Sequence, residues 1–313
     1  MKPLRIGTRG SALALWQANH LREAFEKMGG VAAEIVVVRT SGDQFTAAPM
    51  EQIGVVGIFT KKLEDSLLDG RADLAVHSMK DVPTEIADAF RIATVFQRED
   101  PRDALVSLRG ETLERLPRGA RIGTSSLRRA SQLRLFRRDF QIAEMRGNVD
   151  TRLKKLAAGE YDAIVLAKAG IDRLGISSRI TEVISPEVVL PAVGQGALGV
   201  EFLEARCDEF KMLEHLTDAN TAHAVTAERA LLDEVQGGCR LPLGAWARVE
   251  GATMALDACV LAADGSEFIR RRGEKVCNSM ADAENLGRDV ATELLSAGAD
   301  RLLRMAGRSV GQA

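Results

Sequence analysis

RIGTRGS at residues 5–11 recurs as RIGTSS at 121–126, and GRADLAV at 70–76 recurs, in the same order, as GEYDAIV at 159–165. In each copy the first motif reads as a short strand whose Gly-Thr-Ser turn opens a helix, and the second as a strand entered from a glycine. A chain that repeats strand, turn, helix and strand in one order is constrained to two similarly built α/β domains. The first helix runs from about Ser11 to Met28, with Ala14, Ala18, Leu21, Phe25 and Met28 at helical spacing; its counterpart spans Leu127 to Arg138. Strand-like runs at 4–8, 33–38, 73–77, 92–96, 104–107, 121–124, 141–145, 162–167 and 196–202 alternate with helical segments, which argues parallel or mixed sheets covered by helices. The chain passes between the two domains near Asp100-Pro101 and again between Pro191 and Gly196. A two-crossing hinge of that kind places a ligand cleft between the domains.

From Asp218 the pattern changes. A helix over Ala219 to Glu234 is followed by three strand-like runs, AWARVEG, TMALDACVLA and SEFIRRRG, and by a helix from Met280 to Ala297. Strands grouped together and flanked by helices predict a third, α+β domain with an antiparallel sheet. The expected fold is therefore two similar binding-protein-like α/β domains with a cleft between them, plus this third domain. Boundaries are expected at 1–98 with 197–216, at 102–191 and at 218–313.

The net charge of -2 supplies no global attraction to nucleic acid or anionic membrane, so an anionic ligand must be met locally. Such a patch exists. Between Arg121 and Lys155 there are ten Lys/Arg against three acids. Arg134, Arg137, Arg138, Lys154 and Lys155 fall where a solvated helix face is expected. Arg128 and Arg129 follow a Ser-rich helix start, where free N–H groups and the helix dipole already favour an anion. With Arg146 and Arg152 they are the ligand candidates, since Arg clamps carboxylates by paired hydrogen bonds. Replacing Arg128 or Arg129 is expected to cost binding rather than folding. An aromatic content of 4% leaves little for base stacking, so a small polyanion fits the patch better than nucleic acid.

Arg5 and Arg9 interrupt the apolar residues of the N-terminus, and no later apolar run is long enough to cross a bilayer, so neither a signal peptide nor a membrane span is expected and the default location is cytoplasmic. Cys207, Cys239, Cys259 and Cys277 are widely spaced and the four histidines are not clustered; neither a disulfide scaffold nor a metal site is expected.

Two stretches carry candidate chemistry. HSMKDVP, His77 to Pro83, ends the strand of GRADLAV, where α/β folds place their ligands. An Asp beside a Lys there is compatible with general acid/base work, with stabilising a cation, or with a surface ion pair. In EVQGGCRLPLGAW, Glu234 to Trp246, two glycines precede Cys239, which reads either as a small buried hydrophobe or as a thiol the glycines make accessible.

Read in order, GTRGSALALWQ, AVHSMKDVP, REDPRDALVS, IGTSSLRRASQL, MRGNVDTRL, LPAVGQGALG and EVQGGCRLPLGAW closely resemble the porphobilinogen deaminase (hydroxymethylbilane synthase) family, from about Leu4 to Ala297. The resemblance implies a transferase of tetrapyrrole and heme biosynthesis, monomeric and cytoplasmic. It joins four porphobilinogen molecules head to tail with release of ammonia, and hydrolyses off linear hydroxymethylbilane. It further implies a covalent dipyrromethane cofactor on a thioether to Cys239, and Asp81 as the catalytic acid. By the same resemblance Lys80, Asp81, Thr124, Ser126, Arg128, Arg129 and Arg146 contact the cofactor. Arg9, Ser11, Lys61, Arg146, Arg152 and Arg173 contact the substrate's acetate and propionate. One departure stands out: where the family has Gly-Gly-Lys-Gly-Leu-Phe, this chain reads Gly54-Val55-Val56-Gly57-Ile58-Phe59. Two β-branched valines predict a stiffer loop with one cation fewer, leaving Lys61 to carry more of the contact. The competing class is a non-catalytic two-domain binder of a small carboxylate, which needs neither Asp81 nor the GGC loop.

Overall fold

The computed structural model describes residues 2–38, 58–235 and 241–310. In chain order its elements are β1 (Leu4–Thr8), α1 (Ala12–Lys27), β2 (Ala33–Val37), α2 (Ile58–Leu68), β3 (Leu74–Ser78), β4 (Phe90–Val95), β5 (Asp103–Ser107), β6 (Arg121–Gly123), α3 (Leu127–Phe136), β7 (Gln141–Ala143), α4 (Val149–Ala157), β8 (Ala163–Ala167) and α5 (Lys168–Arg173). They continue with β9 (Glu182–Val183), β10 (Leu198–Leu203), α6 (Ala219–Glu234), β11 (Leu243–Glu250), β12 (Thr253–Leu261), β13 (Phe268–Val276), α7 (Met280–Ser296) and α8 (Ala299–Val310). The chain gathers into two compact units, Met1–Arg98 with Ala197–Ala222 and Glu99–Gly196 with His223–Ala313.

The first unit is built on a five-stranded sheet of order β2-β1-β3-β10-β4. β1 runs parallel to β2 and β3, whereas β10 returns antiparallel to both β3 and β4. Both faces are covered, which is why β3 is apolar on successive residues instead of alternating. Ala18, Leu21 and Phe25 of α1 pack on Ile6, Leu74, Val76, Leu198 and Val200. Leu63 and Leu67 of α2 close the other face over Ala72, Ala75 and Phe90.

The second unit holds two sheets. One has the order β7-β6-β8-β5-β9, with β6 parallel to β7 and β8, and β5 antiparallel to β8 and β9. It repeats the mixed pattern of the first unit: Ile6 and Gly7 face Leu74 and Ala75 there, and Ile122 and Gly123 face Ala163 and Ile164 here. The other is the antiparallel sheet β11-β12-β13. Ala245, Ala247, Leu256, Ala258 and Val260 on one face of it share a core with Leu231 of α6, Leu286 and Val290 of α7 and Leu302 of α8. The fold class read from the repeat, two similar α/β sheets and an α+β part with an antiparallel sheet, is the one observed.

Within the second unit Glu228 joins several parts. Fully buried on α6, its carboxylate accepts from the N–H of Gly194 at 2.7 Å and of Ala247 at 2.8 Å, and Ala245 N–H bonds Pro191 carbonyl at 2.9 Å. Segment 191–196 is thereby tied to both α6 and β11, the two elements that flank residues 236–240 in sequence.

Candidate active site

In the first unit the candidate residues follow the C-terminal ends of two adjacent parallel strands, where open α/β sheets bind ligands. Behind β1, Thr8 is fully buried and its Oγ1 donates to the Ala14 carbonyl at 3.0 Å. Ser11 caps α1 by accepting from the Ala14 N–H at 3.3 Å, and Arg9 lies between them, partly buried. Behind β3 the chain turns through one 3-10 turn, Met79–Asp81. Met79 N–H bonds Ala197 carbonyl at 3.0 Å, and Val82 N–H bonds Met79 carbonyl at 3.2 Å. Gln17 Nε2 donates to Ser78 Oγ at 2.8 Å, tying α1 to the end of β3. The Met79 side chain is buried over Gly199, where an added Cβ would lie 2.3 Å from the Met79 sulfur. With Met79 pinned inward, Lys80 is half-buried and Asp81 is exposed. Lys61, in the first turn of α2, is exposed.

In the second unit Thr124, buried, follows β6, and its Oγ1 accepts from Ser126 N–H at 3.1 Å. Ser126 caps α3 by accepting from Arg129 N–H at 3.4 Å. The N–H groups of Leu127 and Arg128, in the first turn, have no intrahelical acceptor and face an incoming anion by geometry. Ser125 Oγ donates to Met145 carbonyl at 2.5 Å and accepts from Met145 N–H at 3.1 Å, which brings Arg146 alongside this turn. Arg146 pairs with Glu144 at 2.7 Å. Arg152 Nε donates to Gly147 carbonyl at 2.8 Å. Arg173, buried at the end of α5, donates to Gly196 carbonyl at 2.6 Å, and its Nε stands 3.7 Å from Glu99.

Arg128 and Arg129 differ from the expectation of two outward clamps. Both are buried and converge on Asp103, which is 0% exposed at the start of β5. Arg129 donates to Asp103 through Nε at 3.1 Å and Nη2 at 2.6 Å, and through Nη1 to Val165 carbonyl at 3.0 Å. Arg128 uses Nη1 alone, for Asp103 at 2.7 Å and Leu190 carbonyl at 2.6 Å. Gln195 Nε2 adds a bond to Asp103 at 2.9 Å. Burial would raise the Asp103 carboxyl, but the charges of the two arginines outweigh it and hold the group well below the usual carboxylate range. Three buried charges therefore carry a net +1, and among the described residues the Nε and Nη2 of Arg128 have no hydrogen-bond acceptor.

Cys239 and Val55-Val56 lie outside the described residues. The sequence reading missed Asp103, Glu201 and Glu228; Asp103 sits in the mixed-charge run Arg98 to Asp103, Glu201 is flanked by apolar residues and Glu228 by Ala227 and Arg229, so only the fold reveals what each meets. Among the described residues no group of three His, Cys, Asp or Glu could hold a metal ion, and no helix is long and apolar enough to cross a membrane.

Residues 4–210 match the family described as "Porphobilinogen deaminase, dipyromethane cofactor binding domain", and residues 222–296 match "Porphobilinogen deaminase, C-terminal domain". A relative from Syntrophobacter fumaroxidans (strain DSM 10017 / MPOB), named porphobilinogen deaminase, is 46% identical over 304 residues, 96% of this chain and 96% of its own. Another of the same name, from Nitratidesulfovibrio vulgaris (strain DSM 19637 / Miyazaki F), is 45% identical over 306 residues, 97% of this chain and 96% of its own.

Proposed function

Because the chain belongs to the porphobilinogen deaminase family, we propose that it condenses four porphobilinogen molecules head to tail with release of ammonia and hydrolyses off hydroxymethylbilane. The observation that carries this reading is the Met79–Asp81 turn, which holds an exposed carboxylate beside a half-buried lysine at the end of a buried strand. Loss of ammonia from the substrate's aminomethyl group leaves positive charge on the pyrrole. A carboxylate fixed near the pyrrole N–H stabilises that charge and takes part in the accompanying proton transfers. We assign this role to Asp81. Arg9, Ser11 and Lys61 are assigned to the substrate's carboxylates, as are Arg146, Arg152 and Arg173.

Dipyrromethane, bound as a thioether to Cys239, supplies the free pyrrole carbon from which the chain is extended. Its carboxylates fit what the second unit offers. Arg128 keeps its Nε and Nη2 donors after Nη1 engages Asp103 and Leu190, the first turn of α3 presents unpaired N–H groups, and the buried Arg-Asp-Arg triad has one positive charge left to balance. Thr124, Ser126, Arg128 and Arg146 would hold those carboxylates; Lys80 is likewise assigned to the cofactor's carboxylates and Asp81 to its pyrrole N–H. Arg129 serves chiefly by occupying Asp103, which leaves Arg128 a net cation.

We further assign three domains, 1–98 with 197–216, 102–191 and 218–313, and a cytoplasmic monomer with no nucleic-acid or membrane partner. The boundary between the two family matches, 210 to 222, and the net charge of -2 support this. A non-catalytic binder is set aside, since both relatives carry an enzyme's name. Ammonia release on mixing with porphobilinogen, followed by a linear tetrapyrrole that oxidises to a porphyrin, tests the function. Binding of porphobilinogen without ammonia would refute it.

A further inference from the structure

The one buried histidine–carboxylate pair among the described residues stands just before the Lys80–Asp81 turn. His77 Nε2 lies 2.9 Å from Glu201 Oε2, with the side chains 5% and 3% exposed, so neither group is there for solvent. The substrate contacts assigned above do not use it. We propose that His77 and Glu201 are positioning residues, which fix the register of β3 on β10 and thereby place Asp81; the proposal rests on the assignment of Asp81 made above.

The ladder between β3 and β10 gives such a device a purpose. β3 and β10 pair as Ala75 with Glu201, Val76 with Val200, His77 with Gly199 and Ser78 with Leu198. On the face toward α2 the partners other than this pair are Ala75 and Gly199, too small to lock one strand against the other. A slip of one residue is opposed by the apolar pattern, because it would turn His77 into the α1 core. A slip of two residues keeps every side chain on its face and meets no such penalty, yet carries Asp81 roughly 7 Å along the strand direction. What resists it is directional: on the β10 side the His77–Glu201 bond, the seat of Met79 over Gly199 and the Met79 N–H bond to Ala197, and on the side of β1 and α1 the Arg5–Asp73 bonds and the Gln17–Ser78 bond. Fixing register is also the best-attested use of a buried polar pair.

The neighbours support a placed imidazole over a space-filling one. Glu64 of α2 faces the same pair. Burial and the charge of Glu201 push its carboxyl up, against a hydrogen bond with Thr60 and the influence of His77.

An apolar double variant, His77→Phe/Glu201→Leu, separates positioning from packing, because replacing a buried pair with hydrophobic residues commonly leaves stability unharmed. The expected result is a folded protein with unchanged KM. Its kcat should be lower by roughly ten- to a hundredfold, the scale set by a misplaced catalytic group, and amide exchange at Met79 should be faster. Glu201→Gln keeps a hydrogen-bond acceptor and should restore kcat to within about threefold. Wild-type kcat and Met79 exchange in the double variant would overturn the proposal, since the pair would then only fill space. If the double variant fails to fold, His77→Asn decides by the same two readings: a fall in stability alone, with kcat and Met79 exchange unchanged, overturns it. Asp81→Asn run in parallel isolates the premise. Undiminished turnover there removes Asp81 from catalysis, while Met79 exchange still reports the register.

Discussion

Arg5 and Asp73 are joined by reciprocal bonds: the Arg5 N–H donates to the Asp73 carboxylate at 2.8 Å, and the Asp73 N–H donates to the Arg5 carbonyl at 2.8 Å. Arg121 and Asp162 repeat both bonds at 2.7 and 2.9 Å. The repeated motifs thus share a hydrogen-bond pattern as well as a chain path, with the aspartate entering the middle strand of each sheet. Asp73 differs in also accepting from the Arg5 guanidinium, at 2.9 and 3.0 Å, and from Arg206 at 2.7 Å.

That difference predicts an acid limb. Burial would raise the Asp73 carboxyl, but hydrogen bonds from Arg5 and Arg206 outweigh it and pull the group down to about 2. The folded state then binds this proton more weakly than the unfolded chain does. The stabilisation is therefore complete above the ordinary value of 3.8 and is lost as pH falls toward about 2. Asp73→Asn should lower stability at neutral pH by about 1–3 kcal/mol and flatten the loss between those limits, measured by denaturant melts across pH. An unchanged acid limb in the variant would show that other carboxylates set it.

Arg129→Leu is expected to damage folding as much as binding, contrary to the reading from sequence. It removes two of the bonds that compensate a carboxylate with no access to water, and breaking such a buried pair costs about 3–5 kcal/mol. Arg128→Leu should cost less, because Arg129 and Gln195 remain on Asp103. Urea denaturation of both variants should rank them in that order; equal and small losses would mean that Asp103 takes up a proton instead.

Gly287→Ala tests how closely α7 crosses α6. A Cβ at 287 would stand 2.2 Å from the Ala227 carbonyl oxygen and 2.9 Å from Ala230 Cβ, and a backbone oxygen cannot move without its helix. The helices would have to separate at the core of the third sheet, at a cost of about 1–3 kcal/mol for overpacking. A melting temperature equal to that of wild type would show that the crossing is looser than this.

How much was legible in the sequence depended on whether a signal was local. The internal repeat, the first strand at 4–8, the helix at 219–234 and the Ser caps of α1 and α3 follow from periodicity and turn chemistry, which one stretch of chain carries by itself. α8 escaped because its apolar Leu302, Leu303 and Ala306 are interleaved with three arginines, Arg301, Arg304 and Arg308, and no strong turn or cap signal marks its start after α7. The role of Arg128 and Arg129 escaped for another reason. Their partner Asp103 lies 25 and 26 residues away, and a basic run looks the same whether it faces a ligand or a buried acid.

Asp81→Asn should fold normally, since the side chain is exposed and the turn is held by Met79 and Val82 backbone bonds. Turnover of porphobilinogen should fall by on the order of a hundredfold or more, as for loss of a key charge-stabilising group. Near wild-type ammonia release would return Asp81 to the surface.

The last prediction concerns the anchor. Three of the four thiols are poor candidates. Burial pushes the Cys259 thiol up to about 11 and raises that of Cys277, and a hydrogen bond to Glu204 raises that of Cys207. Because the thiolate is the nucleophile, each of these should stay protonated and unreactive at neutral pH. Cys239 is left by its sequence setting, behind two glycines and between α6 and β11, whose flanks Glu228 holds together. If it carries dipyrromethane, denatured wild-type protein should be heavier than its polypeptide by two pyrrole units in intact-mass measurement. Limiting porphobilinogen should then add a ladder of discrete further units, since covalent growth from one fixed point leaves each step on the protein. Cys239→Ala should lose both the starting adduct and the ladder, whereas alanine at Cys207, Cys259 or Cys277 should keep them. An adduct that survives in Cys239→Ala, or an active wild-type protein of bare polypeptide mass, would remove Cys239 from this role.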